Sequence, residues 1–301
     1  MCGEDRTTPD GEDLWRYRYP NDLRRTWRRP AREGDHGWPA DGRTGTVRQG
    51  EERPKLMYAY VFDTYVQDQK HRTESARIET RLATLGIQGR SEKITILKNL
   101  QDSVRTLLKR GAETLIVVGN DQSVAKVLPL IVESDVALGI IPVGPDQRVA
   151  QALGMPVGAA ACDIISRRIM RRIDLGMAGG AHFILGAELP LGCRVLCDKQ
   201  YSVEAMDPEA RMEIVNVGSS TTRSRPDDGR LELVVGGGSG GWFGRGASGT
   251  SVFPISTAKI ERRAGDHRLV LDGQLNVNPP VTISVLKKSL HVIVGPDRKF
   301  E

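Results

Sequence analysis

The side chains whose type and spacing could do chemistry lie mostly in turns. An apolar run, TLIVV at residues 114–118, leads into Gly119-Asn120-Asp121-Gln122-Ser123 and then into a helical pattern. Open backbone N–H groups at a helix N-terminus hold phosphates. The same residues also read as an ordinary turn with Ser123 capping the helix. Two Asp-Gly pairs, Asp228-Gly229 and Asp272-Gly273, are hairpin signals. Cys193 and Cys197 form a C-x-x-x-C pair in an apolar run with no His close by, which suits buried thiols better than metal ligands. His182 and His291 sit in apolar stretches and read as core or surface histidines. Residues 236–249, GGGSGGWFGRGASG, contain G-x-S-x-G and G-x-G-x-x-G, but eight glycines in fourteen residues generate both by composition. Neither lies between a parallel strand and a helix, as a nucleophile elbow or a dinucleotide loop requires.

The elements that must position these residues begin at about residue 55. Strands are expected at 56–62, 91–96, 114–118 and 136–141. Helices are expected over Ile78, Leu82 and Leu85, stopped by Gly86; from Asn99 over Leu100, Val104, Leu107 and Leu108, stopped by Gly111; and from Ser123 over Val124, Val127, Leu128 and Ile131. Strands alternating with helices imply a parallel sheet with crossovers. After about residue 165 the helical period fades, and short strands are expected at 183–189, 212–217, 230–235, 269–271, 281–285 and 291–294. The fold class is therefore an α/β N-terminal domain with a parallel sheet, followed by an antiparallel β-sandwich domain, over residues 55–165 and 166–301.

Residues 1–54 differ from the rest. They hold eleven Arg, no Lys, eleven acidic residues and three of the four Trp, without apolar periodicity, and read as a disordered extension. The patch RRTWRRP at 24–30 has the makings of a nucleic-acid contact, but neighbouring acids cancel its charge, so no nucleic-acid partner is expected. A hydrophobic content of 39% with 27% charged residues suits a soluble globular protein, and the net charge of +5 reads as a scattered basic surface. No apolar run reaches the roughly 18 residues of a membrane span, and the start MCGEDRTTPD lacks the basic and apolar regions of a secretory signal. The expected location is cytoplasmic, with peripheral membrane contact.

Residues 139–156, GIIPVGPDQRVAQALGMP, describe a buried strand ending at Pro142, a turn at Gly144, a polar loop and a short helix closed by Gly154. This segment resembles GIIPLGTGNDFARALGIP of the diacylglycerol kinase family. The apolar and turn positions agree, whereas the family's Thr, Gly, Asn and Asp are Pro145, Asp146, Gln147 and Arg148 here. The family's phosphate loop, GGDGT, is matched by residues 119–123, and its later Glu by Lys126. The family's DGE is matched by Asp272-Gly273-Gln274, and its earlier DG-x-L turn by Asp228-Gly229-Arg230-Leu231. Where the family has an Asn-Pro loop followed by Ser-Gly after its first strand, this chain has Asp63-Thr64-Tyr65-Val66 and no glycine before Gly86.

The resemblance implies a lipid kinase that uses ATP and Mg²⁺ to phosphorylate a lipid hydroxyl, with its site in the cleft between the two halves. On that basis Gly119, Asn120, Asp121, Ser123 and Gly144 would hold the nucleotide, and Asp121 would serve catalysis. Asp228 would support the metal, Asp272 would border the acceptor hydroxyl, and Gln274 stands in the position of the general base. A neutral amide accepts no proton at physiological pH. Asn120 and Gln122 replace glycines, and Gln adopts a positive φ poorly, so weakened nucleotide binding and weakened or lost phosphoryl transfer are expected. The alternative is a catalytically silent member acting as a binding or regulatory module. A lipid substrate or membrane surface is the expected partner, and a homodimer is compatible with the reading. A NAD kinase, which shares the GGDGT-type loop, is a more distant possibility.

Overall fold

A computed structural model of the protein describes residues 56–95, 97–207, 210–218, 225–236, 250–261 and 268–300. The expected extension at 1–54 and its Arg/Trp patch, together with nearly all of the glycine-rich stretch at 236–249, lie outside the described residues.

The first half alternates as the periodicity requires. Strand β1 (Leu56–Phe62) is followed by a single helical turn, Thr64–Gln67, and then by helix α1 (Arg72–Thr84). Next come β2 (Arg90–Lys93), α2 (Leu100–Lys109), β3 (Ala112–Gly119), α3 (Asp121–Ser134), β4 (Ala137–Pro142), α4 (Arg148–Ala152) and α5 (Ala161–Arg167). Asn99 caps α2 by accepting the Gln101 N–H at 2.8 Å. Gly86 and Gly111 follow α1 and α2 with positive φ, the conformation that ends a helix. Strands β3 and β4 are buried almost throughout, which is why they read as continuous apolar runs, as strands of a covered parallel sheet do.

The second half is all strand: β5 (Met170–Ala178), β6 (Ala181–Phe183), β7 (Gly186–Glu188), β8 (Arg194–Cys197), β9 (Tyr201–Glu204), β10 (Arg211–Val215), β11 (Leu231–Gly236), β12 (Ser251–Ile255), β13 (Thr257–Glu261), β14 (Leu269–Leu271), β15 (Leu275–Val277) and β16 (Val281–Ile293). Two expectations change here. The strand expected at 183–189 is two strands, because residues 184–185 turn their N–H groups to Asp272 instead of to a neighbouring strand. The strands expected at 281–285 and 291–294 are one strand, β16, with an irregularity between Leu286 and Leu290.

Strands β2-β1-β3-β4 pair in parallel. The same sheet continues through β16, which meets β4 in parallel at Val292 and Leu138, to antiparallel β13, β8 and β9. Strand β5 runs antiparallel along β16, and β6 folds back on β5. A second, antiparallel sheet has the order β12-β11-β10-β7-β14-β15. One core packs helices on the parallel strands. The other lies between the two sheets, where Val195, Ile260 and Ile283 meet Ile214, Leu233 and Leu271. The expected fold class holds: a parallel α/β region followed by an antiparallel sandwich.

Candidate functional site

The loop after β3 is a helix cap of a particular kind. Asn120, not Ser123, is the capping residue: its Oδ1 accepts the Ser123 N–H, and Ser123 Oγ accepts the Asn120 N–H, both at 3.2 Å. This is a reciprocal capping box. Asn120 has φ −122°, and Gln122 is an exposed residue in the first turn of α3. Neither position uses the positive φ that glycine provides, so the conformational cost expected for Asn120 and Gln122 does not arise. Gly119 is required for another reason, since a Cβ there would lie 2.4 Å from Ser123 Oγ. The Ser123 hydroxyl is fully buried and donates to Asp63 Oδ2 at 2.5 Å.

Asp121 is buried and faces inward across the loop. Its Oδ2 accepts the Arg148 N–H at 2.9 Å and its Oδ1 the Val149 N–H at 3.0 Å, so the carboxylate caps α4. Its own N–H donates to the Asp146 carbonyl at 2.9 Å. Burial raises the Asp121 pKa, while the N–H bonds from Val149 and Arg148 oppose the rise. The loops at 119–123 and 144–148 are thus tied into one unit.

Asp272 lies in the tight turn between β14 and β15 and is also buried. Its Oδ2 accepts the Ile184 N–H at 2.8 Å, and its Oδ1 accepts those of Leu185 and Gly186 at 2.8 and 3.0 Å. Burial pushes its pKa up to about 6 against those three donors. Its main-chain carbonyl accepts a hydrogen bond from the Arg148 guanidinium. Gln274 is partly exposed, with its N–H on the Leu271 carbonyl at 2.8 Å. The structure therefore brings Asp121, Arg148 and the Asp272 turn together. Asp228 stands elsewhere, exposed in its own turn, with Oδ1 accepting the Arg230 N–H at 2.9 Å. Among the described residues no three His, Cys, Asp or Glu side chains form a metal-holding group, and Asp228 by itself does not make a Mg²⁺ centre.

A further residue enters at the ends of β3 and β4. Tyr65, in the helical turn after β1, donates its hydroxyl to the Val143 carbonyl at 2.7 Å. Its ring lies 2.9 Å from where a Cβ on Gly144 (φ +82°) would sit. The Tyr65 ring therefore occupies the space beside Gly144, with its hydroxyl near Gly119. The sequence showed only that the glycine of the first loop was missing; nothing in it placed the Tyr65 ring over Gly144.

The family model for the diacylglycerol kinase catalytic domain matches residues 63–178. The crystal structure of a diacylglycerol kinase from Bacillus anthracis str. Sterne superposes with a TM-score of 0.66 at 17% sequence identity, covering 80% of this chain and 98% of that one. Two further structures of a proposed diacylglycerol kinase from the same strain give TM-scores of 0.65 at the same identity and coverage. At that identity the likeness shows a shared fold, and this chain spans nearly the whole of those structures. No curated protein matches the sequence. The chain is thus similar over residues 63–178 to the catalytic domain of the diacylglycerol kinase family, and it shares that fold with the solved structures.

Proposed function

We propose that this chain is a diacylglycerol-kinase-like protein in which ATP-dependent phosphoryl transfer to a lipid hydroxyl is weakened or lost. The similarity of residues 63–178 to the diacylglycerol kinase catalytic domain supports ATP as donor and a lipid or related acceptor. Phosphoryl transfer depends mostly on positioning and charge neutralisation, and both require groups free to face the nucleotide and acceptor. The observation that carries the reading is where the two carboxylates in register with the family motifs point. Asp121 has its oxygens on the backbone of α4, and Asp272 has its own on residues 184–186. The third position, Gln274, is an amide. Removing a general base alone costs on the order of 10²–10⁴ in rate.

No helix among the described residues is long and apolar enough to cross a membrane. In this reading the lipid is met peripherally, at a cytoplasmic membrane face. A chain in this state serves as a lipid- or partner-binding module. The test is incubation of the full chain with labelled ATP, Mg²⁺ and diacylglycerol in mixed micelles. The expected result is no labelled phosphatidic acid above the blank. Label that grows in proportion to protein overturns the reading.

A further inference from the structure

In open α/β folds ligands enter at the carboxyl ends of the parallel strands. Here β1, β3 and β4 end at Phe62, Gly119 and Pro142. The helical turn at Thr64–Gln67 carries the Tyr65 ring back across those ends. The hydroxyl reaches the Val143 carbonyl at 2.7 Å, and the ring fills the space beside Gly144. The same hydroxyl lies 3.5 Å from the place of a Cβ on Gly119. One side chain thus covers both glycines that flank the crevice.

The turn that holds the ring is anchored on several sides. The Asp63 N–H donates to the Val118 carbonyl at 3.1 Å, so the turn starts on the β3 ladder. Asp63 Oδ1 accepts the Thr64 N–H at 2.6 Å, and Oδ2 accepts Ser123 Oγ at 2.5 Å. Val66 is fully buried beneath the turn. The Tyr65 ring also packs edge-on against His71, with centroids 5.8 Å apart. By contrast, the replaced glycines of the loop offer little obstruction: Gln122 points to solvent, and Asn120 has ordinary extended backbone angles.

We propose that Tyr65 is a built-in plug of the nucleotide crevice, and that a nucleotide enters only when the ring and its turn swing out. This rests on reading the crevice as the nucleotide cradle of the family. It moves the cause of weak nucleotide binding from the loop at 119–123 to the turn after β1.

Calorimetry of the full chain with Mg-ATP tests it. The unmodified protein should bind more weakly than about 1 mM. Tyr65→Ala should bind at least about tenfold tighter, a difference of about 1.4 kcal/mol. Tyr65→Phe retains the ring and should stay weak. Asn120→Gly combined with Gln122→Gly, with Tyr65 in place, should stay within about threefold of the unmodified protein. If circular dichroism shows Tyr65→Ala unfolded, Tyr65→Leu replaces it under the same criterion, since Leu keeps apolar contact and does not reach Val143. Binding by the alanine variant no tighter than by the unmodified chain overturns the plug. So does micromolar binding by the unmodified chain. The two readings fail separately. Lipid phosphorylation by Tyr65→Ala would leave the plug standing and overturn the engaged carboxylates as the ground for the loss of catalysis. Failure of that variant to gain affinity would overturn the plug and leave the proposed function untouched.

Discussion

The Arg148 guanidinium donates to the main-chain carbonyl of Asp272, while its Nε stands 3.7 Å from Asp121 Oδ2. One side chain therefore bridges the loop unit of the parallel sheet and the turn between β14 and β15 in the sandwich. It lies so close over Gly273 that a Cβ there would fall 1.7 Å from its Nη2. The family's aspartate at this position would carry the opposite charge and could not donate to that carbonyl.

Arg148→Ala should lower stability by about 1.5–3 kcal/mol, the range for a hydrogen bond from a charged donor. Arg148→Lys should recover only part, because a point charge replaces a planar fork. Urea denaturation measures both. An alanine variant as stable as the unmodified chain would show that the bridge contributes nothing.

Glu232, on β11, supplies a pH signature. Burial first, and then the charge of Asp228, raises its pKa from 4.5 to about 7, and its Oε2 is buried with no hydrogen-bond partner. A carboxyl with a higher pKa folded than unfolded holds its proton more tightly in the folded state. Its contribution to stability is present in full below about pH 4.5 and is lost as pH rises through about 7. Asp272 and Glu213 are also shifted upward, so the comparison must be with a variant. Glu232→Gln should gain on the unmodified chain between pH 5 and pH 8 in urea midpoint. An equal difference at both pH values would rule this out.

Gly139 lies in the middle of β4, where a Cβ would meet Ile116 Cδ1 at 2.4 Å and Ile165 Cδ1 at 3.0 Å. Gly139→Ala should overpack this core and cost about 1–3 kcal/mol, read as a lower thermal midpoint. A midpoint unchanged within error would mean that the two isoleucines repack freely.

Among the described residues, both apolar cores are built from residues 58–300. A chain beginning at Glu52 should therefore unfold in urea as one cooperative transition. A broad, non-cooperative curve would count against this.

The parallel half was legible because its information is local. Covered strands are apolar runs, amphipathic helices repeat, and Gly86 and Gly111 stop α1 and α2 where the pattern does. The sandwich was legible only in its more apolar strands. Strand β5 begins Met170-Arg171-Arg172 and hides behind its charges, and β8 is brief and drew notice only as a cysteine pair. Strand β16 was split by Lys287-Lys288-Ser289, where the ladder is irregular and the Lys288 N–H turns to Asp174 at 2.5 Å. In the site, the register of Asp121 and Asp272 could be read, because turn residues carry it. What their oxygens face could not be, since the partners lie 27–28 and 86–88 residues away in sequence. The role of Tyr65 has the same origin: its partner Val143 is 78 residues distant.

Strand β16 is hydrogen-bonded to β4 at one end and to β13 at the other, with β5 along its length. It leaves no slack joint about which the two halves could bend like jaws. Many transferases sequester a substrate by closing one lobe upon another. Such a movement here would have to shear the β5–β16 ladder, which pairs on both sides of the irregularity between Leu286 and Leu290. Access to the interior must instead be granted one side chain or one turn at a time, and heat should melt the two halves together.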